Sequence, residues 1–181
     1  MIRSSSHKSV ADMNCYCLSH VLNEATPLYG GSGIVKVVST SSISGGSSAN
    51  SSSLTFPAHA GTHIDAPFHF DPRGSTLDQY PPEFWICRRP FLVEVECRPG
   101  ELLGFERLQP ALINMPIETD LLLLRTRFER FRNAAQIHTY IFDGPGIEPN
   151  FGLWLRRNFR LKMVGFDFLS LSSYCHREKG R

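Results

Sequence analysis

Residues His59 to Phe70 read HAGTHIDAPFHF: three histidines, one aspartate and one glycine in twelve positions. Counted by twos, His59, Gly61, His63 and Asp65 share one parity. An extended chain alternates faces at every residue, so a strand here would point all four the same way. A helix would also bring His59 and His63 together, but Gly61, the β-branched Thr62 and Ile64, and Pro67 oppose one. The expectation is a strand with imidazole, bare backbone, imidazole and carboxylate on one face. Pro67 would end it and re-aim His69. Two imidazoles and a carboxylate suit zinc or manganese. His59, His63 and Asp65 are therefore the candidate metal ligands, and His69 is the candidate catalytic proton shuttle, because imidazole titrates near neutrality. The competing reading is a set of hydrogen-bonded structural histidines.

The rest of the chain bounds this picture. Its 181 residues suit one domain, and 41% hydrophobic with 20% charged residues is ordinary globular composition. A net charge of +2 gives no reason to expect nucleic acid or an acidic membrane as partner. No apolar run approaches a membrane span, and the N-terminus lacks the apolar core of a secretory signal. Five scattered cysteines then read as reduced thiols in a cytoplasm. Residues 1–13 read as a disordered tail and 14–181 as the folded domain.

Strands are expected at Asn14–Leu22, Ile34–Val38, Phe91–Cys97, Asp120–Thr126 and Lys162–Phe168. Short helices are expected at Phe105–Leu108 and, behind Pro149, at Leu153–Phe159. The order implies an α/β or α+β domain. Between His69 and the third of those strands, Tyr80, Phe84 and Trp85 stand in a proline-rich loop as candidate substrate-binding walls, or as packing under that loop. Arg125–Arg132 (RTRFERFR) reads as a solvated basic stretch, or less readily as an anion-binding patch. Cys15 and Cys17 read as structural thiols, and His138 as a loop histidine. His20 would face the site or cap a strand end.

HAGTHIDAPFHF resembles the H-x-G-T-H-x-D-x-P-x-H signature of the metal-dependent cyclase family, which includes kynurenine formamidase (arylformamidase) and isatin hydrolase. LSHVLNEATPLYGG, PPEFW, FDGPGI and GFDFLSLSSY resemble further segments of it. The resemblance implies a swivelling β/β/α fold, a mixed β-sheet core flanked by helices. It implies a zinc- or manganese-dependent hydrolase of small amides or formamides, with metal-activated water attacking a carbonyl. By motif position, His59, His63 and Asp65 would hold the metal and His69 would be the acid/base. Asp167 would be structural, through hydrogen bonds to backbone. A homo-oligomer acting in tryptophan catabolism fits the same family. The family pattern also carries a further histidine, an acidic residue and a closing strand past the position of Arg181, so the chain is expected to lack part of the domain. The rival reading is an inactive family member with a non-catalytic or partner-dependent role.

Overall fold

The structure, a computed structural model, describes residues 17–177. Its centre is a three-stranded parallel sheet in the order β3–β5–β7. These strands are Pro90–Glu94, Leu121–Arg125 and Met163–Phe166. Phe91 pairs with Leu122, which pairs in turn with Val164. The LLLL run of β5 explains its central place: Leu122 and Leu124 are buried, while Leu121 and Leu123 are partly covered. Asp120 fixes the start of the sheet. Its carboxylate accepts from the backbone N–H groups of Arg88 and Arg89, both at 2.8 Å. The first of these bonds is the main reason its pKa is lowered.

Two helices close one face. In α1 (Phe105–Leu108) the buried residue is Leu108. In α3 (Pro149–Asn158) Phe151 and Leu155, four apart, are buried, Pro149 supplies the first turn, and Arg156 and Arg157 stand at the negative C-terminal end. They meet Val93, Leu112, Leu122 and Leu124 in the main core. A third helix, α2 (Ile137–Phe142), carries buried Tyr140 into a smaller cluster with Phe128 and Phe168. Two-residue strands β4 (Leu102–Leu103) and β6 (Gly146–Ile147) pair in parallel beside it.

The residues before the sheet form a separate antiparallel ribbon of β1 (Lys36–Ser41) and β2 (Ser51–Thr55), with Val37 opposite Leu54. The same part of the chain holds a small buried cluster of Leu28, Val35 and Ala60. The ribbon region meets the sheet region through aromatic edges: Tyr29 and Phe142 each stand edge-on to Tyr174, at 5.4 and 5.3 Å. Gly30 makes that approach possible. It has φ +62°, and a Cβ there would run into the Tyr174 ring. A second tie runs from the Lys162 ammonium to the carbonyl oxygen of Ile86, at 3.2 Å.

Both helices expected from the sequence are present, and parallel and antiparallel strand pairs coexist with them, as the α/β class requires. Three local expectations fail. Cys17–Leu22 is not a strand, and Asn14, Cys15 and Tyr16 lie outside the described residues, as does the 1–13 tail. His138 lies in α2 rather than a loop, its ring 4.6 Å from that of Phe142. Most importantly, the histidine stretch is not a strand: β2 stops at Thr55, and a turn closed by Ala60 N–H to the Pro57 carbonyl follows. Gly61 at φ +69° then takes the chain out of the extended region.

Candidate functional site

Turns, not pleating, bring the expected ligands together. Nδ1 of His59 lies 2.7 Å from Oδ1 of Asp65 and 3.3 Å from Nε2 of His63. Nε2 of His63 lies 3.3 Å from the same Asp65 oxygen. Three donor atoms thus form a triangle with sides near 3 Å. Donors bound at about 2.0–2.2 Å around one zinc stand roughly that far apart. The donor set therefore fits one divalent ion. His63 is also oriented for the task. Its Nδ1–H donates to the carbonyl oxygen of Gly61 at 2.9 Å, which leaves Nε2 with a free lone pair facing the other two donors. Gly61 thus supplies more than bare backbone: its carbonyl, presented by the left-handed turn, positions a candidate ligand.

His69 joins from the short 3-10 turn Pro67–His69, where Pro67 takes the first position. Its ring lies over that of His59, with centroids 3.8 Å apart. One ring nitrogen is within 4.8 Å of ligand atoms on both His59 and Asp65. All four residues named from the sequence thus converge, and His63 has the tighter fit to the triangle. The cluster is open, with His59 and His69 exposed.

The flanking segment is pinned to this loop. The His20 backbone N–H donates to Oγ1 of Thr62 at 3.1 Å, and the Leu22 side chain lies against Gly61. The sequence held no signal for this contact, which spans 42 residues. The His20 pKa is lowered, first by burial and then by the charge of Arg132.

Other side chains have partners of their own. Tyr80, Phe84 and Trp85 pack on one another at 4.5–5.5 Å, and Lys162 approaches the Phe84 ring, so their described partners are themselves and the start of β7. His176 is held by the Gly100 carbonyl. Asp167 is structural, accepting from the Thr126 N–H at 2.9 Å and the Thr126 hydroxyl at 2.6 Å. Beside it the Glu129 carboxyl has a raised pKa, first from burial and then from its hydrogen bond to Asp167. In the basic stretch Arg125 and Arg127 pair with Glu94, and Arg130 pairs with Glu96, so three of its four arginines are paired locally.

The sequence matches the family described as "Putative cyclase" over residues 16–173. The chain belongs to the cyclase family. Within it, a Haemophilus influenzae protein named only as uncharacterized is 31% identical over 113 residues, covering 62% of this chain and 78% of that one. A kynurenine formamidase of Paracidovorax citrulli is 37% identical over 84 residues, which cover 45% of this chain and 37% of that enzyme. Among solved structures, isatin hydrolase A from Labrenzia aggregata, bound to benzyl benzoate, superposes with a TM-score of 0.67 at 22% identity, covering 86% of this chain and 68% of its own. Isatin hydrolase A from Ralstonia solanacearum gives 0.68 at 19%, covering 97% and 82%. These two likenesses establish a cyclase-family fold. No helix among the described residues is long and apolar enough to cross a membrane.

Proposed function

We propose that this chain is a metal-dependent hydrolase of small amides or formamides, of the arylformamidase type. The observation that carries the proposal is the donor triangle of His59, His63 and Asp65, with His63 already in the tautomer a ligand needs. The kinship with a kynurenine formamidase and the fold shared with isatin hydrolases supply the substrate class: acyl–nitrogen bonds on small aromatic molecules. Zinc or manganese, when bound, contributes Lewis acidity toward a carbonyl and toward water. The protein's own residues do the rest. Asp65 offsets part of the cation's charge. The Gly61 carbonyl holds His63 in place. His69, close to the ligands yet outside the triangle, takes a proton from water and returns it to the departing nitrogen. Exposure of His59 and His69 leaves that face open to a substrate. Cytoplasmic action on N-formylkynurenine, in tryptophan catabolism, is the specific form of this reading.

The test joins metal content to turnover. The purified full chain, dialysed against zinc or manganese, is expected to retain about one ion per chain by elemental analysis, and His63→Ala to fall to background. Loaded protein is expected to hydrolyse N-formylkynurenine or isatin. An unmodified chain that retains neither metal would overturn the mechanism. Metal retention without hydrolysis of either compound would favour the non-catalytic reading of this site.

A further inference from the structure

His69 is brought to the donor triangle by a turn that core packing does not hold. Residues Pro67 to Phe70 are all exposed, Phe68 at 53% and Phe70 at 64%. The next segment, Asp71 to Ser75, holds the turn instead. The Pro67 carbonyl accepts from the N–H groups of Phe70, at 3.1 Å, and of Asp71, at 3.0 Å. The Phe68 N–H donates to the Ser75 carbonyl at 3.1 Å. Between these anchors the chain reverses around Asp71. Its carbonyl accepts from the Gly74 N–H at 2.7 Å, and its carboxylate accepts from the N–H and the guanidinium of Arg73, at 3.0 and 3.2 Å.

Gly74 is where this brace touches the turn. A Cβ at Gly74 would lie 2.5 Å from the carbonyl carbon of Pro67, 2.7 Å from the nitrogen of Phe68 and 2.8 Å from the oxygen of Pro67. Those three atoms form one peptide group, the last before His69 itself is reached. Other close glycines face side chains, as Gly104 faces Glu148 and Gly165 faces Leu123, and a side chain can turn aside. A planar peptide bonded through both its N–H and its carbonyl cannot.

We propose that Gly74 is a positioning residue for His69. Its bare α-carbon lets the brace close on the Pro67–Phe68 peptide, and that closure seats the His69 ring over His59, with centroids 3.8 Å apart. The donor triangle does not depend on it. The contacts among His59, His63 and Asp65, and the bond from His63 to the Gly61 carbonyl, all lie within residues 59–65. A side chain at Gly74 therefore displaces His69 and leaves the donors in place. The catalytic role of His69 rests on the hydrolase reading; its placement by Gly74 does not.

The test compares Gly74→Ala with Gly152→Ala in the purified full chain. Gly152 lies in α3 with nothing within 4 Å of an added Cβ, so it controls for the change of residue type alone. By NMR, the Phe68 amide is expected to exchange about tenfold faster in Gly74→Ala, because its bond to Ser75 opens. The His69 ring protons are expected to lose the shift imposed by the His59 ring. Gly152→Ala is expected to leave both signals in place, and exchange at Leu122 to be no faster in either variant. Unchanged Phe68 and His69 signals in Gly74→Ala would overturn the proposal. So would an equal quickening at Leu122, which would make Gly74 a residue of the global fold.

A second arm uses metal and turnover. After dialysis against zinc, Gly74→Ala is expected to retain as much metal as the unmodified chain, while kcat for N-formylkynurenine falls about ten- to a hundredfold and KM stays within about twofold. Loss of zinc, or a rise in KM at unchanged kcat, would place the effect of Gly74 elsewhere than on His69 and overturn the assignment. If the unmodified chain hydrolyses neither N-formylkynurenine nor isatin, the hydrolase reading fails, and the NMR comparison alone decides for or against Gly74.

Discussion

The residues up to Ile86 and those after it are built differently. Of nineteen exposed large apolar side chains among the described residues, fourteen lie between Leu18 and Ile86. That region buries only Leu28, Val35 and Ala60 as an apolar cluster, whereas the sheet region buries ten residues from Val93 to Leu155 in one core. The candidate metal site nevertheless sits in the poorly buried part. Its side chains are aimed by turns and polar links: the Pro57–Ala60 turn, the left-handed Gly61, the His63 bond to the Gly61 carbonyl and the His20 tie to Thr62. Folding free energy and site geometry therefore come from different residues. A two-stranded ribbon exposed on both faces contributes little stability by itself. The sheet region must supply most of the cooperativity, and the site region opens more readily.

Matched truncations give the largest expected contrast. Leu122, at 0% exposure in the central strand, faces Val93, Leu124 and the helices. Leu122→Ala is expected to cost about 2–5 kcal/mol, from lost transfer energy plus the cavity left behind. Leu54, 61% exposed in the ribbon, is expected to change stability by less than about 0.5 kcal/mol on the same substitution. Urea midpoints of the two variants check this. Similar losses would show that the ribbon folds as part of the same core.

A second contrast comes from alkaline pH. Burial pushes the Cys97 thiol from 9.0 to about 12, and the Tyr140 hydroxyl from 10.0 to about 12. Both groups are neutral when protonated, so both folded pKa values are raised. Their stabilising contribution is complete below pH 9 and disappears as pH rises toward 12, because the unfolded chain releases these protons first. Both residues lie in the sheet region. The urea midpoint is thus expected to decline from about pH 9, with a shallower decline in Cys97→Ala. A flat profile to pH 12 would mean that neither group is sequestered.

The division also explains how far the sequence could be read. The LLLL run, the Phe105–Leu108 helix and the Pro149 helix start were all legible, because burial and local propensity act over neighbouring residues. The candidate ligands are legible by residue type and spacing, and their side chains converge, but not by pleating. Parity assumed a pleated strand, whereas the Gly61 turn delivers the same grouping. Period-two spacing marks side chains that can share a face, and a turn can satisfy it as well as a strand. The His20–Thr62 bond had no local signature, because its two ends lie 42 residues apart in the sequence.

The smallest effect separates the two regions most finely. In Thr62→Val the shape of the side chain is kept and the hydroxyl is lost, so the His20 N–H loses its acceptor. Both ends of that bond are exposed. Water can replace the lost oxygen, and the cost is expected near 0.5–1 kcal/mol, the range of an ordinary hydrogen bond. If the site region opens independently, this cost falls on the local opening alone. Hydrogen exchange at His20 would then quicken by a few-fold, while exchange at Leu122 and the urea midpoint stay as they were. Metal affinity would fall slightly, since Thr62 lies between the Gly61 carbonyl and His63, and a loosened loop aims Nε2 less well. A midpoint that shifts together with the His20 amide would mean that this tie is part of the global fold, and the independence of the two regions would have to be given up.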